Sequence, residues 1–100
     1  MTNIVLNAIN TLKDDIANKR YNKSRAIQYL NYADLEKKYT PDKINEINRE
    51  FVNQVQAYLS NHYPNKFCIW SEQKTIYIGT YDFLNNYIDN ADKFLIKGNN

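Results

Sequence analysis

The feature that most constrains the fold is a change in the spacing of apolar residues near Tyr63. Before this point, apolar residues recur every three or four positions, which is the period of an amphipathic helix. After it come two short runs rich in β-branched and aromatic residues, Lys66 to Ser71 and Lys74 to Gly79, separated by the polar pair Glu72 and Gln73. This pattern predicts two antiparallel strands joined by a tight turn.

Segments with helical spacing lie on both sides of this hairpin. The predicted helices run from Thr2 to Lys19, from Arg25 to Tyr39 with Ser24 as the cap, from Pro41 to His62, and from Thr80 to Ile96. Two Gly and two Pro in the chain are too few for an all-β fold with many tight turns. We therefore expect one α+β domain over residues 1–100, with three N-terminal helices, a two-stranded antiparallel hairpin and a C-terminal helix.

The predicted hairpin has apolar side chains on both faces. Along its first strand, Phe67 and Ile69 alternate with Cys68 and Trp70. A two-stranded sheet is marginally stable alone and has unpaired backbone edges. One edge or face of the hairpin is therefore a candidate surface for a homodimer or for another partner, unless both faces pack inside one monomer.

The sequence favours a cytoplasmic location. Its single cysteine, Cys68, cannot form an internal disulfide, so the fold does not depend on an oxidising compartment. The N-terminus lacks the basic start and apolar run of a signal peptide, and no stretch approaches the roughly 18 consecutive apolar residues of a membrane span. We expect no membrane association.

The residues that usually carry catalysis or bind metals form no recognisable motif. His62 is the one histidine and precedes Cys68 by six positions, but Cys68 lies among apolar residues of a predicted strand. That position favours a buried, unreactive thiol. The acids lack zinc or calcium spacing, and neither glycine belongs to a phosphate-binding loop. We therefore expect a protein that is not an enzyme and that has no metal and no cofactor.

Tyrosine and asparagine are the main indication of a binding surface. The chain has nine Tyr against four Phe and one Trp, and about one residue in six is Asn. These side chains supply large contact areas and adaptable hydrogen bonds at interfaces. Asn and Tyr also have AT-rich codons, so an AT-rich genome explains the same enrichment without a binding function. The candidate partner-binding residues, which fall at loop positions or away from the apolar stripes, are Tyr21, Tyr29, Tyr32, Tyr63 and Tyr81.

A basic segment offers a second kind of site. Lys19, Arg20, Lys23 and Arg25 lie within seven residues that contain no acid. Such side chains can contact phosphates, and the intervening Tyr21 can stack on a base. The net charge of +2 and the pI of about 8.6 are low for a nucleic-acid-binding domain. A solvated loop between two helices explains the segment better.

These features predict a small binding protein. Its small size and its many residues with AT-rich codons favour an inhibitor or regulator encoded by a phage or mobile element. Such a protein would occupy a surface of a larger host or defence protein, such as a CRISPR nuclease. A bacteriocin immunity-type protein fits the same features. The alternative is a nucleic-acid-binding regulator that uses the basic segment from Lys19 to Arg25.

Overall fold

The computed structural model describes residues 2–19, 29–72 and 75–98. Their order is α1 (Asn3–Ala17), α2 (Tyr32–Lys38), α3 (Pro41–His62), β1 (Phe67–Glu72), β2 (Thr75–Thr80), α4 (Tyr81–Tyr87) and a 3₁₀ helix (Ala91–Phe94). The strands are antiparallel and pair Phe67 with Thr80 at one end and Glu72 with Thr75 at the other. The predicted α+β class and order of elements are confirmed.

The main core lies between α1, α3 and one face of the hairpin. The apolar stripe predicted on α1 is buried, and so is the stripe on α3. Phe51 and Leu59 of α3 are almost completely buried, and burial of a side chain of this size contributes about 1.5–3 kcal/mol. The backbone N–H of Thr2 also donates to Oε1 of Glu50 at 2.9 Å, which ties the start of α1 to α3. These contacts position α3 along the length of the domain.

Side-chain oxygens at the caps determine where the helices begin. The side chains of Thr2, Thr40 and Thr80 accept hydrogen bonds from backbone N–H groups in the first turns of α1, α3 and α4. Such a cap typically stabilises a helix by about 1 kcal/mol. Pro41 occupies the first turn of α3, where its missing N–H removes no helical hydrogen bond.

The second helix begins later than the sequence predicts. Tyr29 and Leu30 are not helical, and the Asn31 side chain caps α2 by accepting from the backbone N–H of Asp34. The prediction that this helix already includes residues 29–31 is therefore wrong. An asparagine in extended conformation satisfies a free N–H of the first turn, which favours a start at this residue. The predicted cap Ser24 lies outside the described residues.

The predicted C-terminal helix is interrupted. Ile88 after α4 has an extended conformation, and Asn90 has a left-handed one, with φ of 57°. After the 3₁₀ helix, Leu95 forms an antiparallel bridge with Cys68, and the backbone N–H of Ile96 donates to the carbonyl of Phe67 at 2.9 Å. A continuous helix over residues 80–96 is therefore wrong, because the end of the segment bonds to the outer edge of β1 instead.

Both faces of the hairpin are packed within one chain. Phe67 and Ile78 on one face belong to the main core. Cys68 and Trp70 on the other face form a second cluster with residues that include Leu84 of α4. This packing removes the basis for a dimer through a hairpin face. Among the described residues, no segment pairs with the outer edge of β2, so a partner at that edge stays a prediction.

The left-handed conformation of Asn90 gives a stability prediction. We expect Asn90→Val to lower the free energy of unfolding by about 1–2 kcal/mol, because a β-branched side chain is strained at positive φ. Asn90→Gly is the matched control and is expected to cost much less, since glycine adopts this conformation without strain. Urea denaturation of both variants measures the difference. Equal losses would contradict the left-handed conformation.

Candidate functional site

A groove of about 820 Å³ runs along α3, with α2 and the end of the hairpin also lining it. Its volume lies within the range of roughly 300–1,000 Å³ that is common for binding pockets. On α3 the lining residues form two rows with a spacing of four, which places each row along one line of the helix surface. The first row is Ile44, Asn48 and Val52, and the second is Pro41, Asn45, Arg49 and Asn53.

The sequence of α2 places three further side chains on the groove. Tyr32, Glu36 and Tyr39 follow one another at spacings of four and three, so they share one side of this helix and its C-cap. Ser71 and Ile76, which pair across the hairpin near its turn, complete the lining. The groove therefore has an apolar surface bordered by tyrosines, asparagines and one charge of each sign.

Asn48 is the unusual residue of this groove. It lies between Ile44 and Val52 in the first row, and its Oδ1 is buried without a hydrogen-bond partner in the described chain. Leaving a buried polar atom unpaired costs about 1–3 kcal/mol. Nearby, burial raises the pKa of Tyr32, and the Asn48 side chain partly opposes that rise. The Asn48 side chain thus interacts with Tyr32, while its Oδ1 is a buried acceptor that has no partner among the described residues.

We expect Asn48→Leu to raise the free energy of unfolding by up to about 1 kcal/mol, because the removal of a buried acceptor that has no partner among the described residues outweighs the loss of the interaction with Tyr32. Asn48→Asp is the matched control of similar shape and should lower stability, since it places a carboxylate at the same position. Urea denaturation measures both. Destabilisation by Asn48→Leu would show that the Asn48 amide, through Tyr32 or another group, contributes to the stability of the fold.

Of the five candidate tyrosines, Tyr32 lines this groove and Tyr29 does not. The Tyr29 ring lies 6.4 Å from that of Phe51, and its hydroxyl donates to Oδ2 of Asp15 at 3.0 Å. Burial raises the pKa of Tyr29 well above its ordinary value, and the charge of Asp15 adds to the effect. Tyr29 therefore contributes to the packing between the start of α2 and α1.

The remaining candidates lie apart from the groove or outside the described chain. Tyr63 packs edge-on against Phe67, with ring centroids 5.9 Å apart. The Tyr81 hydroxyl donates to Oδ1 of Asp92 at 2.6 Å. Tyr21 lies outside the described residues. The five tyrosines thus do not gather on one described surface, and their role in partner binding stays a prediction.

The basic segment is described at its first residue alone. Lys19 follows α1, is exposed and has a positive φ of 56°. Arg20, Lys23 and Arg25 lie outside the described residues. Nucleic-acid binding by this segment therefore stays a prediction.

The sequence reasoning missed Tyr39, Asn48 and Arg49 as site residues. A signal was present in the third predicted helix, where Asn48 lies midway between Ile44 and Val52 at a spacing of four. A polar residue within an apolar row marks either a polar contact or a surface. The sequence could not show that α2 and the hairpin stop short of this row and leave a groove.

Cys68 and His62 do not form a reactive pair. Cys68 is fully buried, its sulfur lies 3.9 Å from the carbonyl oxygen of Ala91, and burial raises its pKa to about 11, with Asp92 adding to the rise. His62 is exposed and stacks on Tyr58, with ring centroids 4.7 Å apart. The thiol is therefore protonated at neutral pH and shielded from reagents.

We expect Cys68 to resist alkylation by iodoacetamide at neutral pH in the folded protein and to react rapidly in denaturant. The reason is its complete burial together with its raised pKa. Mass spectrometry after timed labelling measures the reaction, and the denatured chain serves as the control. Labelling of the native protein at the rate of the denatured chain would contradict the buried position.

Comparisons with protein-family models, with curated proteins and with solved structures found no match for this chain. Within the described ranges, no group of three or more His, Cys, Asp or Glu side chains is placed to hold a metal ion. None of the helices in those ranges combines the length and the apolar character needed to cross a membrane. The groove along α3 is therefore the feature of the molecule from which a function is inferred.

Proposed function

We propose that this chain is a non-enzymatic binding protein that uses the groove along α3 to occupy a surface of a larger protein. The observation that carries the proposal is the composition of the groove: apolar side chains such as Ile44 and Val52 lie beside Oδ1 of Asn48, which has no partner in the described chain. A groove of this kind costs stability when empty and gains contacts when filled. That is the behaviour expected of a binding site.

The shape of the groove favours a segment of a protein over a compact small molecule. Its α3 wall extends from Pro41 to Asn53, which is about 18 Å at 1.5 Å per residue. An extended peptide covers this length with about five or six residues. Tyrosine and arginine, which are enriched among the residues that dominate binding energy at interfaces, are present at Tyr32, Tyr39 and Arg49.

The proposed biological role is inhibition or regulation by covering a surface of the partner. The abundance of Asn, Lys, Ile and Tyr, which have AT-rich codons, supports an origin in a phage or mobile element, with a host or defence protein such as a CRISPR nuclease as the partner. A bacteriocin would be the partner of an immunity-type protein. Both roles require the same property, a rigid face that takes a segment of a larger protein.

A substitution that blocks the groove tests this function. Asn53 is exposed and lines the groove, so Asn53→Trp should fill part of it without disturbing the core. Asn61→Trp places the same side chain at an exposed position of α3 outside the groove. Binders are first selected from a displayed library of bacterial proteome fragments, and their affinities are then measured with each variant by calorimetry.

We expect Asn53→Trp to weaken binding at least about tenfold and Asn61→Trp to leave it unchanged, with both variants as stable as the parent chain. Equal affinities for the two variants would overturn the groove as the binding site. Salt-sensitive binding of labelled DNA that Asn53→Trp does not affect would favour the nucleic-acid-binding regulator instead.

A further inference from the structure

The positive charge of Arg49 lies on the groove without an ion-pair partner on α3, because the nearby side chains are neutral or paired with another residue. The residues four positions before and after it, where an acid would pair with it on a helix, are Asn45 and Asn53. Glu46, three positions before it, forms an ion pair with Lys43 at 3.1 Å. The guanidinium of Arg49, an exposed residue, has no ion pair or hydrogen bond with any described residue.

The other charge on the groove belongs to α2. Glu36 is exposed, lines the groove and forms no ion pair with Arg49 within the described chain. The positive charge therefore belongs to the α3 row and the negative charge to α2, with the apolar side chains of Ile44 and Val52 also lining the groove. An occupant is favoured when it presents a carboxylate to Arg49 and disfavoured when it presents one to Glu36.

We infer that the groove recognises a partner segment that carries an aspartate or glutamate beside a large apolar side chain. The carboxylate pairs with the planar guanidinium of Arg49, which suits bidentate hydrogen bonds. The apolar side chain packs on the half-buried Val52, Tyr32 and Tyr39, which line the groove above the core. This inference rests on the proposed function, since it names the chemistry of the protein segment that the groove takes.

A charge exchange tests the inference. A displayed library of random peptides is selected on the parent protein, and the enriched peptides are synthesised for affinity measurements. We expect them to carry an acid next to a large apolar residue, and we expect Arg49→Glu to weaken their binding at least about tenfold. Replacing the peptide acid with lysine should restore binding to the Arg49→Glu protein, because the attraction is then re-formed with exchanged signs.

The control variant is Lys13→Glu, which makes the same change in net charge at an exposed residue of α1 outside the groove. It should leave peptide affinity unchanged. Peptides that are blocked by Asn53→Trp but indifferent to Arg49→Glu, or that carry no acid, would overturn the acidic chemistry and leave the protein-binding groove intact. A library that yields no binder sensitive to Asn53→Trp would overturn both the inference and the proposed function.

Discussion

The structure depends on covering a two-stranded hairpin that cannot be stable by itself. Phe67 and Ile78 face α1 and α3, and Trp70 on the other face packs with Leu84 of α4. The outer edge of β1 is closed by Ile96, whose N–H donates to the carbonyl of Phe67. The segments around the hairpin therefore each cover a different face or edge of it. This is why the C-terminal helix is interrupted. A continuous helix could not both pack on one face and close the edge.

The same arrangement explains why a groove forms beside α3. This helix has 22 residues, whereas α2 has seven, so α2 covers a small part of its length. The hairpin approaches the same face near its turn, through Ser71 and Ile76. What lies between is a stretch of α3 with two rows. The first, which contains Ile44, Asn48 and Val52, is buried or half-buried, and the second is exposed. The buried acceptor of Asn48 and the charge of Arg49, neither of which has a partner in the described part of the chain, both lie on this stretch. The solvated charge of Arg49 costs the fold nothing, whereas the buried, unpaired Oδ1 of Asn48 does, and this cost is the physical argument for a binding role.

The sequence predicted the elements whose signals are local. The stripes of α1 and α3 and the alternation of the two strands all reflect interactions within a few residues. The start of α2 was missed because Asn31 offers a cap in the middle of a loosely periodic segment. The break after α4 was missed because the apolar spacing there satisfies a helix, while the hydrogen bonds that favour the break come from β1, more than twenty residues earlier.

The candidate site was also predictable from the sequence only in part. Composition alone indicated that tyrosine and asparagine are abundant enough to form a binding surface, and Tyr32 does line the groove. It could not show that the hydroxyls of Tyr29 and Tyr81 bond to Asp15 and Asp92. The sequence by itself thus determined α1, α3, the hairpin and the order of the elements, because periodicity is a local property. Only the tertiary structure decided which side chains share a surface, because that depends on how far each helix extends over its neighbour.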